Sequence, residues 1–338
     1  IARTVQTLVE KGKITRPLRT IRFIWVPETF GTIAYLHSHE DLPNHLVAGI
    51  NLDMVGQDQE LCKSTLLLDR TPDSLPSYLN DFVLGLIEQS VKEFDQTTGF
   101  GSASTFRYRV GAHTGGSDHH EFVDSTIGIP CVMLLQWPDL FYHSSMDTID
   151  KVNSQSLKRV GWIATVGVLT LASADVEDAV FLASQTCSMG IERMEEAERE
   201  AVQALCEKRE DAKLKEKPEE LAKALVETAS RYKNKLEHFT WREKEAVRSV
   251  KRLASGTDLD SLLDKLIHNI ARHGEQKQAR IEESLVFVAK AAGVDIPAQL
   301  EETEAKRETK KLVPKRLFKG SLSMDAFKKL LGEEEYRW

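Results

Sequence analysis

The sequence predicts an α/β domain, with a mostly parallel sheet sandwiched by helices, followed by an all-α helical extension. Two observations carry this reading. Up to about residue 175, short apolar runs of strand length alternate with segments of helical period. Beyond about residue 183 the chain becomes rich in Glu, Lys, Arg and Ala, with narrow apolar stripes at helical spacing. The expected divisions are 1–182 for the α/β part, 183–310 for a helical hairpin or bundle, and 311–338 for a small C-terminal module.

Each element follows from local pattern. Ile1, Val5 and Leu8 are helically spaced, so the chain opens inside a helix, which Gly12 and Pro17 end. Residues 20–26 form a β-rich run stopped by Pro27, and a helix could start at Gly31. Residues 46–52 read as a second strand ending at Asp53, and 66–68 as a third. Residues 79–94 carry Phe82, Leu86, Ile87 and Val91 at helical spacing. Residues 128–135 form a buried strand after a turn, and 156–171 close this half as a helix. Continuous apolar strands between helices argue for a sheet covered on both faces.

In the second half, Ile191, Met194, Ala201 and Leu205 form one narrow stripe. Pro218 interrupts it, and Leu221, Leu225, Tyr232, Leu236 and Phe239 form another. Further helices are expected at 262–270 and 281–292, and a last short one after the basic, turn-rich stretch 313–320. The stripes suit an antiparallel hairpin within the chain. The alternative is a homodimer built through the helical extension.

Composition excludes several classes. A net charge of −7 gives no reason to expect nucleic acid. The longest apolar run, 160–174, is shorter than the roughly 20 residues a membrane span needs. Cys62, Cys131, Cys187 and Cys206 lie far apart with no CxxC pair, so neither a zinc knuckle nor a disulfide framework is expected. No signal peptide is visible, and a cytoplasmic location is the expectation.

Polar clusters follow the strands, where an open sheet of this kind binds ligands. Glu28 follows 20–26, Asp53 follows 46–52, and a segment with Tyr142, His143 and Asp147 follows 128–135. A Gly-rich loop holds Gly115-Gly116-Ser117-Asp118-His119-His120. Converging carboxylates and imidazoles are what a zinc hydrolase needs, with one further carboxylate free to accept a proton. Singly, each residue is more often a cap, a turn former or a structural group; their order and spacing make the case.

The chain resembles the zinc-dependent aminopeptidase and carboxypeptidase family that includes glutamate carboxypeptidase and the small secreted bacterial leucine aminopeptidases. Four segments carry the resemblance, in the family's order. They are Phe23-Ile24-Trp25-Val26-Pro27-Glu28-Thr29-Phe30-Gly31, Asn51-Leu52-Asp53-Met54-Val55-Gly56, Gly116-Ser117-Asp118-His119, and Phe141-Tyr142-His143 with Asp147-Thr148-Ile149-Asp150. It covers roughly 1–175 and is nearer to a prokaryotic branch with a helical C-terminal extension.

The resemblance implies a zinc-exopeptidase-like fold that removes N-terminal residues from peptides. Glu28 is the implied general base, Asp53 and His143 zinc ligands, and Tyr142 a stabiliser of the oxyanion. Asp118 and His119 would shape the site without binding metal, and Asp147 would lie near the substrate amine or behind the ligands. Thr29 stands where the family has a second, zinc-ligating Glu, so the implied zinc content is one or two ions, with the second site weakened. The resemblance also implies an upstream His and a metal-bridging Asp that precede Ile1, so residues 1–338 alone are expected to be inactive and to bind zinc poorly. The alternative is a catalytically degenerate peptidase-like domain acting as a protein-interaction module, which Thr29 favours. A serine hydrolase is disfavoured, because Gly101-Ser102-Ala103-Ser104 lacks the second Gly of a nucleophile elbow.

Overall fold

A computed structural model describes residues 1–94, 106–297, 304–313 and 315. The Gly101–Ser104 segment and nearly all of the expected C-terminal module lie outside the described residues. These fall into two units, one of Ile1–Leu75 and Val83–Ser173, the other of Pro76–Phe82 and Ala174–Lys315.

The first unit is built on four strands: β1 (Gly49–Asp53), β2 (Thr65–Asp69), β3 (Tyr108–Gly111) and β4 (Cys131–Trp137). They lie in the order β1-β4-β2-β3. The two central strands carry the continuous apolar runs: Leu66, Leu67 and Leu68 in β2, and Val132, Met133 and Leu134 in β4, are all buried. β1 pairs with β4 and β2 with β3 in parallel, while β2 and β4 are antiparallel, so the sheet is mixed.

Helices α1 (Ala2–Glu10) and α2 (Phe30–Ser38) precede the sheet. α3 (Leu79–Phe94), α4 (His119–Val123) and α5 (Ser154–Ser173) are interleaved with or follow its strands. Gly167 of α5 sits so close to Ile50 of β1 and Leu86 of α3 that an added Cβ would lie 3.0 and 3.4 Å from them. Ile50, on the even-numbered face of β1, thus packs against α5. The opposite face, where Asn51 points, meets the loop into α4, since Asn51 Nδ2 donates to Ser117 Oγ at 2.8 Å.

Residues 20–26 depart from expectation. Their composition predicts a strand, yet no ladder forms beside them among the described residues. A strand's polar backbone needs a neighbour, and β propensity alone does not supply one. Phe23 and Trp25 stack there at 5.9 Å, with Trp25 84% exposed.

The second unit contains α6 (Val176–Glu210), α7 (Ala212–Lys215), α8 (Pro218–Arg248), α9 (Thr257–Ala292) and α10 (Glu304–Thr309). Asp175 caps α6 by accepting from the backbone of Glu177 and Asp178, while Asp178 reaches back to the Asp175 N–H. Pro218 is the first residue of α8, where its missing N–H costs nothing, and Gly293 ends α9 in the left-handed region at φ 68°. α6, α8 and α9 pack on one another in all three pairings. α6 and α8 pack as the two stripes suggest, and α9 joins them as a third helix. The α6 stripe is completed along its length by Leu182, Cys187 and Ala197. Segments 262–270 and 281–292 belong to one continuous helix.

A buried ion cluster crosses this unit. Arg193 of α6 binds Asp81 with two bonds of 2.7 and 3.0 Å and Glu243 of α8 with bonds of 3.0 and 2.5 Å. Arg242 adds bonds of 3.0 and 2.7 Å to Glu243, which is 1% exposed. Burial opposes the Glu243 charge, but the two guanidinium groups outweigh it and hold its carboxyl below the usual range. A carboxyl so depressed contributes stability that is present above its unfolded pKa and lost as pH falls through the folded value. Glu243→Gln should cost about 3–5 kcal/mol at neutral pH, since it strands buried guanidinium charge. Thermal melts by circular dichroism should show this gap constant from about pH 6 to 8 and narrowing below about pH 4.3.

Candidate active site

The loop before α4 is tied to the segment that carries Glu28. Asp118 Oδ1 accepts from the Thr29 backbone N–H at 2.7 Å and from the Thr32 hydroxyl at 2.8 Å. Thr29 stands at φ 61°, a conformation that is rare for a β-branched residue and costs of order 1–3 kcal/mol. The charged acceptor offsets that strain. Glu28 itself is exposed, and its carboxylate has no hydrogen-bond partner among the described residues.

Asp53 ends β1 opposite Leu135 and is half-buried, and its carboxylate is likewise unpartnered among the described residues. Because β1 and β4 are parallel, Asp53 and the exit of β4 lie at the same end of the sheet. The chain leaving β4 carries Tyr142, His143 and Asp147, all exposed. The Tyr142 ring stacks on His143 at 3.7 Å and meets Trp137 edge-on at 5.1 Å. His143 has φ 52°. The structure therefore joins Asp118 to the neighbour of Glu28, and Tyr142 to His143. Glu28, Asp53 and His143 do not form a set with donor atoms mutually within 4.8 Å among the described residues.

Such a set exists elsewhere, in Asp69, His113 and His119. Asp69 ends β2 and is fully buried, as is His119; His113 follows β3, where the parallel β2–β3 pairing brings it alongside. His119 Nε2 lies 3.4 Å from Asp69 Oδ2, and His113 Nδ1 lies 3.8 Å from Oδ1. The Thr114 N–H donates to Asp69 at 3.0 and 3.2 Å and its hydroxyl donates to Oδ2. His113 Nε2 and His120 Nδ1 are 3.1 Å apart. Burial works against the Asp69 charge, but His119 and Thr114 keep its carboxyl below the usual range. Burial pushes the His113 ring down, with His119 and His120 adding to it against the pull of Asp69.

Of this set, sequence reasoning named only His119. Asp69 closes an apolar strand just as Asp53 does, and that signal was available. His113 carries none, because β3 is four residues long and mostly exposed. By strand spacing, Asp53 and Asp69 are roughly 12 Å apart, two strands and two rungs away on one face.

Residues 1–168 match Peptidase family M28. This half of the chain belongs to that family.

The matched family is one of peptidases. No curated protein matches the chain. A solved protein from Clostridium acetobutylicum, provisionally named a peptidase, is 20% identical with a TM-score of 0.37. The match covers 50% of this chain and 36% of that one, and a likeness of this size carries no argument. Among the described residues no helix is long and apolar enough to cross a membrane. Within the M28 half, Asp118→Ala should release the Glu28 segment. Hydrogen exchange at the Thr29 amide should speed up by about 10- to 100-fold, the equivalent of one charge-assisted bond, while amides in β2 and β4 stay protected.

Proposed function

We propose that this protein is a zinc-dependent aminopeptidase that removes N-terminal residues from peptides. The observation that supports it most is the pair of carboxylates, Glu28 and Asp53, that have no partner among the described residues, in an M28 half where Asp53 shares one sheet end with the His143 loop. The donors fit zinc chemically, with Asp53 offering carboxylate oxygen and His143 imidazole nitrogen. Zinc, when bound, supplies a Lewis acid that polarises the scissile carbonyl and acidifies water.

Glu28 accepts the proton of the attacking water and returns it to the leaving amine. Its freedom from hydrogen bonds among the described residues suits a group that must take up and release protons. Asp118 positions it by holding Thr29. Tyr142 donates to the developing oxyanion, its ring steadied between Trp137 and His143. In this reading Asp147, on the same loop, meets the substrate's amino group or lies behind the ligands, and Asp118 and His119 shape the site without binding its zinc. Thr29 leaves one carboxylate fewer for a second ion, which favours a single zinc over two. No nucleic acid, membrane or second copy is needed for this chemistry, and a cytoplasmic location accords with it.

In the intact protein, Glu28→Gln should lower kcat for aminoacyl substrates by about 10²- to 10⁴-fold, with zinc content by atomic absorption unchanged. Loss of zinc instead would make Glu28 a ligand in place of the group missing at Thr29. The second reading, a peptidase-like interaction module, rests on Thr29 alone. It would be supported by an intact wild-type protein that holds no zinc and cleaves no peptide.

A further inference from the structure

We propose that Asp69, His113 and His119 bind one divalent transition-metal ion of the zinc class, at a site separate from the Asp53 and His143 positions. The inference does not rest on the aminopeptidase reading. Three observations carry it.

The first is unsatisfied polar chemistry in a dry place. His119 is fully buried, yet among the described residues neither of its ring nitrogens makes a well-aligned hydrogen bond, and His113 Nδ1 is in the same condition; each has only the Asp69 carboxylate nearby, at 3.4 and 3.8 Å. Buried polar atoms are normally paired, and an ion between them would satisfy His113 Nδ1 and His119 Nε2 together.

The second is distance. A charge-assisted bond between imidazole and carboxylate closes to about 2.7–2.9 Å. Here the separations are 3.4 Å for His119 and 3.8 Å for His113. Two ligands on tetrahedral zinc, each about 2.0–2.2 Å from the ion, stand about 3.4 Å apart. Both separations are longer than a charge-assisted bond, and that of His119 matches the spacing of two ligands on one ion. Two imidazoles and a carboxylate are also a donor set that zinc-class metals take, with a fourth position left for water.

The third is support behind the donors. Thr114 fixes the Asp69 carboxylate with its backbone N–H, which donates to both oxygens, and with its hydroxyl, which donates to Oδ2. His113 Nε2 is engaged with His120 Nδ1 at 3.1 Å, which turns Nδ1 toward Asp69. Partners of this kind orient metal ligands and set their tautomers. Gly115 makes the approach feasible, since at φ 71° a Cβ would lie 2.9 Å from His120 Nδ1.

The ion would join the ends of β2 and β3 to α4 and so fix His119, the residue after Asp118. His119, which the family resemblance assigns no metal, thereby gains a ligand's role. The loop that steadies Thr29 would then be metal-dependent.

The test uses the metal-stripped 338-residue chain carrying Asp53→Asn and His143→Asn, titrated with cobalt(II). Both replaced residues are at least partly exposed, so the fold should survive. The folded variant should take up one cobalt equivalent with the visible bands of a four-coordinate ion. Adding Asp69→Asn or His113→Gln should abolish the bands and weaken binding by more than about tenfold. His113 is less buried than His119, which guards against simple misfolding. A folded double variant that binds no cobalt would overturn the proposal. So would bands that persist through both further substitutions. Neither readout involves catalysis, so the aminopeptidase assignment could fail while this one stands, and the reverse.

Discussion

The Asp118 carboxylate is the constraint on which the candidate active site depends. Residues 20–26 run without a ladder partner among the described residues, so no sheet holds Glu28 in place. Its position comes from the next residue, Thr29, whose N–H is bound by Asp118 and whose backbone is held in a strained conformation. Thr32 adds a second bond to the same oxygen, fixing the first turn of α2 as well. Asp118 is in turn placed by its neighbours: Ser117 is bound by Asn51 of β1, and His119 is packed beside Asp69 of β2. Asn51 and Asp69 both pair with Met133 of β4, so one rung of the sheet sets the whole chain of contacts.

The helical unit solves a different problem. Its helices carry many charges, and three of them must share a narrow interior. Gly274 of α9 lets α8 approach so closely that a Cβ would fall 2.2 Å from the Thr240 hydroxyl. Charge that cannot be excluded is paired, as in the cluster around Glu243 and in Lys277, which is 7% exposed and 2.7 Å from Glu198. Removing one member of such a group costs more than the pair contributes, because the remaining charge stays buried.

How much was legible in the sequence follows from burial. β2 and β4 are covered on both faces, so each appears as an unbroken apolar run. α3 and α5 were readable because each buries one stripe. β3 was not, since an exposed edge strand with Arg109 at its centre has no such signature. α9 was read as two helices because Gly274 and Lys277 break its apolar stripe, although both are buried in the bundle. Of the proposed site, Glu28, Asp53, Asp118, Tyr142 and His143 rest on motif order. The Asp69–His113 meeting was invisible, because 44 positions separate residues that only the β2–β3 pairing brings together.

The central claim is that the M28 half builds a zinc centre at the end of β1 and β4. Anomalous scattering at the zinc edge, from crystals of the zinc-loaded intact protein, tests it most directly. The account predicts a peak about 2.0–2.2 Å from both an Asp53 carboxylate oxygen and a His143 ring nitrogen, with Glu28 nearby and unligated. A zinc-loaded crystal with no peak touching Asp53 and His143 together would contradict it.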